Sequence, residues 1–132
     1  FARVRQLVFD ELALEPGVGA YIDDWGARAL NAELHAYWEM VPGVVLLQPW
    51  YRYHTQTQVD WFLPETASVL PDVRTQDSDL AAFDSHTFGL KLVVPHVDVF
   101  HMDTELNLGG DFTLRSDNLN AFSLGLGLMV RY

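Results

Sequence analysis

The sequence has no cysteine. Disulfide staples, thiolate metal sites and cysteine nucleophiles are excluded at once. Long apolar runs are missing too. The longest, Val44 to Leu47 and Leu80 to Phe83, fall far short of the roughly 18 to 20 residues that a membrane-crossing helix needs. Positive charge is scarce: 8 Lys and Arg stand against 18 Asp and Glu, for a formal net charge of -10. Without a basic patch, no nucleic-acid partner is expected, and an acidic chain does not suit a helix lying on anionic lipid. No glycine-rich element leads from a strand into a helix, so neither a phosphate loop nor a cofactor is expected.

What the chain has in quantity is alternation. Hydrophobic residues make up 49% and aromatic residues 13% of the 132 positions, spread singly instead of in blocks. That is the pattern of a membrane barrel, whose lipid-facing and lumen-facing residues alternate along each strand. From Ala121 onward the even positions Phe122, Leu124, Leu126, Leu128, Val130 and Tyr132 are apolar, against Ser123, Gly125, Gly127, Met129 and Arg131. Six apolar sites in register exceed the usual strand of about five or six residues. An apolar alternation of this kind ending on Tyr132 resembles the signal read by outer-membrane assembly machinery, with Leu124, Leu126, Leu128, Val130 and Tyr132 as its residues.

Similar segments precede it. Arg28 to Val41 alternates cleanly, and Pro42-Gly43 supplies a tight turn. Val45 to Trp61 follows, with its ionisable groups other than Tyr51 and Tyr53 on one face. Two further strands are expected on either side of a turn at Pro95-His96, the second running from Phe100 to Leu108. Toward the N-terminus, Arg3 to Leu14 has charges on both parities and invites a bulge. A turn is expected at Glu15-Pro16-Gly17, and another at Asp23 to Gly26.

Labelled backwards from a periplasmic C-terminus, the long connections, Phe62 to Asp84 and Gly109 to Asn120, fall outside the cell. The three Pro-containing turns fall inside, as is usual for such barrels. The walk yields about seven strands of an all-β, antiparallel transmembrane barrel. Bacterial single-chain barrels have even strand numbers, so residues 1–132 are expected to be the C-terminal portion of one larger barrel domain.

Three stretches carry a resemblance: Asp23-Asp24-Trp25-Gly26, Trp50 to Gln56, and Phe83 to Leu92. Together they resemble a family of uncharacterised bacterial outer-membrane β-barrel proteins with a domain-of-unknown-function label. The resemblance covers roughly Tyr21 to Tyr132. It implies a porin-like protein of the Gram-negative outer membrane and supplies no catalytic residues.

The expected lumen-lining residues are Glu33, His35, Glu39, Arg52, His54, Asp60, Lys91, His101, Asp103, Glu105 and Arg131. They suit either a polar conduit with acidic bias or an interior ion-pair network that fills a closed barrel. Pairing around Pro42-Gly43 sets His35 opposite Trp50 and not His54, so no shared metal site is expected. Trp38 and Trp61 are expected in the aromatic girdles at the two membrane boundaries. Ser85 and His86, being adjacent, point to opposite faces of a strand. Asp84 and His86 share a face near the rim, where a structural anchor is expected before an acid-base pair. The expected function is a channel or a partner-holding barrel, not an enzyme. A non-conducting scaffold is the main alternative and a rim-sited hydrolase a minor one. Expected partners are the lipid bilayer, the assembly machinery and periplasmic or surface proteins of an envelope complex.

Overall fold

The computed structural model describes residues 1–63, 74–99 and 102–131, the side chains of 98, 99 and 131 excepted. The alternation seen in the sequence becomes one antiparallel sheet. Its strands are β1 (Ala2–Arg3), β2 (Gln6–Phe9), β3 (Leu12–Ile22), β4 (Arg28–Val41), β5 (Val45–Gln56), β6 (Phe83–Val99), β7 (Met102–Arg115) and β8 (Ala121–Arg131). Neighbours follow chain order from β1 to β8, with β2 also pairing β3, and the sheet does not close on itself. A short 3-10 turn, Ser78–Leu80, sits in the connection between β5 and β6.

β1 and β2 are one interrupted strand. Arg3 lies opposite Gly17 and Gln6 opposite Leu14 in a single register, and between them the Val4 amide donates to the Pro16 carbonyl at 3.2 Å. Pro16 has no N–H to return, so the ladder lapses beside it. The path across the sheet therefore has seven positions.

Several connections lie elsewhere than the turn residues suggest. Glu15, Pro16 and Gly17 are not a turn but the middle of β3, and the chain reverses instead at Asp10-Glu11. Pro95-His96 lies within β6, where a register shift between Val94 and Val97 absorbs the proline as a bulge. Val99 pairs with Met102, so both strands run on well past Pro95-His96, and the expected start of the next strand at Phe100 lies outside the described residues. Gly109 and Gly110 pair with Lys91 and Leu90 inside β7, and the turn follows at residues 116–120. β5 stops at Gln56, short of Trp61. There the Val59 amide bonds the Leu80 carbonyl and the Asp60 amide bonds the Trp25 carbonyl, drawing the chain off the sheet. Pro42-Gly43 does turn, with Gly43 at a φ of +70°.

Direct opposition fixes which side chains share a face. One face carries Leu12, Trp38, Leu47, Leu92, Leu108 and Leu126, each opposite the next across β3 to β8. Four residues along the strands, Leu34, Tyr51, Phe88, Phe112 and Phe122 form a parallel row. This apolar face is the exposed one: Leu124 is 73% and Leu126 76% exposed. The polar face is the crowded one, with Glu15, Ser85 and Thr87 all buried. Among the described residues the buried apolar side chains are Val59 and Val93. Each large apolar side chain left in water forgoes roughly 1.5–3 kcal/mol, so this face calls for an apolar neighbour.

The two ends of the sheet differ. One end has the tight reversals at Asp10-Glu11 and residues 42–44. The other carries residues 23–27, the connection between β5 and β6, and residues 116–120.

Candidate functional site

The polar face divides into a filled half and an emptied half. In the filled half, β3 and β4 place Glu15 opposite His35 and Gly17 opposite Glu33. Arg5 donates from Nε to Glu15 at 2.7 Å, and Arg3 reaches Glu33 at 2.5 Å and Glu15 at 3.9 Å. His35 Nε2 lies 3.4 Å from Glu33. The Tyr37 ring lies beneath the Arg5 guanidinium at 3.9 Å. Gly17 and Gly19 make room for this packing, since a Cβ at either would meet the Phe1 ring, and at Gly17 also the Arg3 stem. Glu15 accepts a hydrogen bond from the Arg5 guanidinium and another from the Tyr37 hydroxyl while buried, which is how a carboxylate is kept charged away from water.

The centre of the face is built on Trp50. Its indole stacks with His35 at 5.8 Å and 12°, and the Arg52 guanidinium stands 6.0 Å from its ring centroid. Gly89 lies directly opposite Trp50, and a side chain there would collide with the indole. Beyond it β6, β7 and β8 carry little bulk. Gly109 pairs Gly125, Asn107 pairs Gly127, and Asp111 pairs Ser123, whose hydroxyl donates to the Asp111 carboxylate. A cavity of about 380 Å³ opens there, lined by Trp50, Lys91, Asn107, Asp111 and Ser123 together with these glycines.

On the apolar face, near the long-loop end, polar groups cluster among aromatic rings. The Tyr51 hydroxyl is 2.8 Å from His86 Nδ1, and the Tyr53 hydroxyl donates to Asp84 at 3.0 Å. Asp84 and His86 thus each have a tyrosine partner. At the loops, Arg115 lies 3.7 Å over the Phe83 ring and pairs with Asp79 at 2.6 Å and Asp117 at 2.7 Å. The hydrogen bond from Arg115 holds the Asp117 carboxyl below its ordinary pKa, with the Leu119 amide adding to the effect and partial burial opposing it.

Of the residues expected on the polar face, Glu33, His35, Glu39, Arg52, His54, Lys91, Asp103 and Glu105 fall at polar-face register positions. His54 bonds Asn31 at 2.7 Å and Gln56 at 3.1 Å. Asp103 is exposed beside His96, and Glu105 accepts from Asn107. Glu39 is exposed at the tight-turn end, its backbone bonded to Glu11. Asp60 is displaced from the face altogether: it sits in the loop against Gly26, where no side chain would fit. Arg131 occupies the strand position opposite Asp103. His101 and Tyr132 lie outside the described residues. Trp38 stands on the apolar face near the tight-turn end, but Trp61 leaves the sheet with its loop. Tyr51, Phe88, Phe112 and Phe122 form the aromatic row toward the other end. Arg3, Arg5 and Glu15 were not anticipated, because a turn misplaced at Glu15 hides the strand that pairs them.

A family model described as "Protein of unknown function (DUF3570)" matches residues 4–109. No curated protein and no solved structure matches the chain.

Proposed function

We propose, for a chain that belongs to the DUF3570 family of proteins of unknown function, that it forms wall of a porin-like outer-membrane β-barrel in a Gram-negative envelope, its polar face lining a conduit. The observation that carries this reading is the inversion of the faces: leucine and aromatic rows are exposed while glutamate, serine and threonine are buried. Lipid is the surrounding that suits such an outer face. The end asymmetry agrees, since tight turns belong to the periplasm and long loops to the exterior. β8, with Leu124, Leu126, Leu128 and Val130 along its apolar face, is then the strand offered to the assembly machinery. The reading assigns no enzymatic step. Asp84 and His86 anchor tyrosines, and no serine shares their face of the strand.

Residues 1–132 contain no cysteine, so a single cysteine introduced among them is the one thiol of this segment. In outer membranes from cells making the full-length protein, cysteines at Leu92, Leu108 and Leu126 should resist a water-soluble maleimide and be quenched by lipid-borne probes. Cysteines at Lys91, Asp111 and Gly125 should react with the maleimide. The opposite pattern, or recovery of the protein outside the outer membrane, overturns the reading.

A second reading has its own support. The Arg3, Arg5, Glu15 and Glu33 network fills part of the polar face as side chains fill small closed barrels. A scaffold that holds periplasmic or surface partners needs no open path. Conductance of the full-length protein across planar bilayers separates the two: silence selects the scaffold.

A further inference from the structure

Glycines on the polar face are generally covered by a neighbour's side chain: Gly17 by Arg3 and Phe1, Gly19 by Phe1, Gly89 by Trp50. On β8 this stops. Gly125 has nothing within 4 Å of where its Cβ would stand and Gly127 has only Asn107 Cβ at 3.6 Å, whereas Gly109 on β7 still meets the Leu90 carbonyl at 3.3 Å and the Lys91 stem at 3.5 Å. The uncovered backbone is the floor of the 380 Å³ cavity, within the range of about 300 to 1,000 Å³ of small-molecule pockets.

The walls have definite chemistry. Trp50 offers an indole, held by its stack with His35, as an apolar flat surface. Lys91 is exposed and has no ion pair among the described residues. Asp111 presents a carboxylate and Ser123 a hydroxyl. The Asn107 side-chain carbonyl is shut off from water with no hydrogen-bond partner, although its amide group serves Glu105. One cation and one anion leave the site without net charge, while donors and acceptors of several kinds converge on it.

We propose that this trough is a binding station for a neutral, hydroxyl-rich ring, a sugar unit, with its C–H face against Trp50. Its hydroxyls would meet Lys91, Asp111 and Ser123. An anion would face Asp111 and an inorganic cation would face Lys91, so neither suits the pair as well as a ring that both donates and accepts. The proposal rests on the polar face being a water-filled lumen wall.

Calorimetric titration of the full-length protein in detergent with glucose and maltose tests it, with glutamine as a zwitterionic control. Saturable sugar binding is expected, weakened at least tenfold by Trp50→Ala. Gly125→Phe fills the floor without touching Trp50 and should weaken binding equally, which guards against misfolding of the first variant. Trp25→Phe should leave binding unchanged. No sugar binding, equal binding by wild type and Gly125→Phe, or tighter binding of glutamine overturns the proposal. Maleimide labelling of Gly125→Cys keeps the two failures apart. A labelled cysteine with no sugar binding sinks the binding station alone; a cysteine reached only from lipid sinks the lumen reading with it.

Discussion

At the scale of single residues, the polar face is packed by exchange: one side chain is lost so that a neighbour's may lie flat. Trp50 over Gly89 is the clearest case. Gly89→Val should therefore displace the indole, lower thermal stability by about 1–3 kcal/mol, the usual cost of overpacking, and change tryptophan emission. An unchanged melting midpoint and spectrum would contradict the packing. Glu15 and Glu39 make a second contrast. Glu15 is buried among two arginines and Glu39 stands in solvent. Glu15→Ala should lower the unfolding midpoint well below that of Glu39→Ala, because it leaves Arg5 without its acceptor. Register made part of this legible in advance. The Pro42-Gly43 turn set His35 opposite Trp50, and the two rings do stack. The Arg3, Arg5 and Glu15 network was not legible, because proline and glycine in β3 imitate a turn when only local chemistry is considered.

At the scale of elements, the strands declared themselves and their ends did not. Alternation extends along a strand irrespective of its partners, whereas a boundary depends on which backbone groups find partners across the ladder. Pro95 is absorbed by a bulge and Gly109-Gly110 by a ladder on both sides. The faces of β7 supply a prediction. Leu108→Arg puts a guanidinium on the apolar face near the leucine row and should destabilise the inserted protein by about 2–4 kcal/mol, the depth-dependent cost at a bilayer midplane. Gly125→Arg, on the open part of the polar face of the neighbouring β8, should cost much less; equal losses would mean that no bilayer surrounds the sheet. The turn at residues 116–120 gives a pH dependence. Arg115 depresses the Asp117 pKa below the ordinary 3.8, so folding is favoured by the ionised carboxyl. That contribution is complete above the ordinary value and is lost as pH falls through the depressed one. The stability gap between wild type and Asp117→Asn should be flat above pH 5 and shrink below pH 3.8; a gap that widens on acidification contradicts the pairing.

At the scale of the whole molecule, the acidic excess has a location. On the sheet's polar face Arg3, Arg5, Arg52 and Lys91 accompany Glu15, Glu33, Asp103, Glu105 and Asp111. The long-loop end adds Asp23, Asp24, Asp60, Asp77, Asp79 and Asp117 against Arg28, Arg74 and Arg115. A cation preference in conductance should thus originate at the loop end and fade between about 0.1 M and 1 M salt, as screening shortens from about 10 Å to 3 Å. A preference that survives 1 M salt would place its source deeper in the wall. By itself, the amino-acid sequence determined the antiparallel all-β architecture, the division of each strand into two faces and the β4–β5 register, because a period of two is a local property of the extended chain. Only the tertiary structure decided that the apolar face is the exposed one, which residues pair across the polar face, and where that face is left empty. Those follow from how neighbouring strands stack and how the sheet crowds one side, and no single strand contains that information.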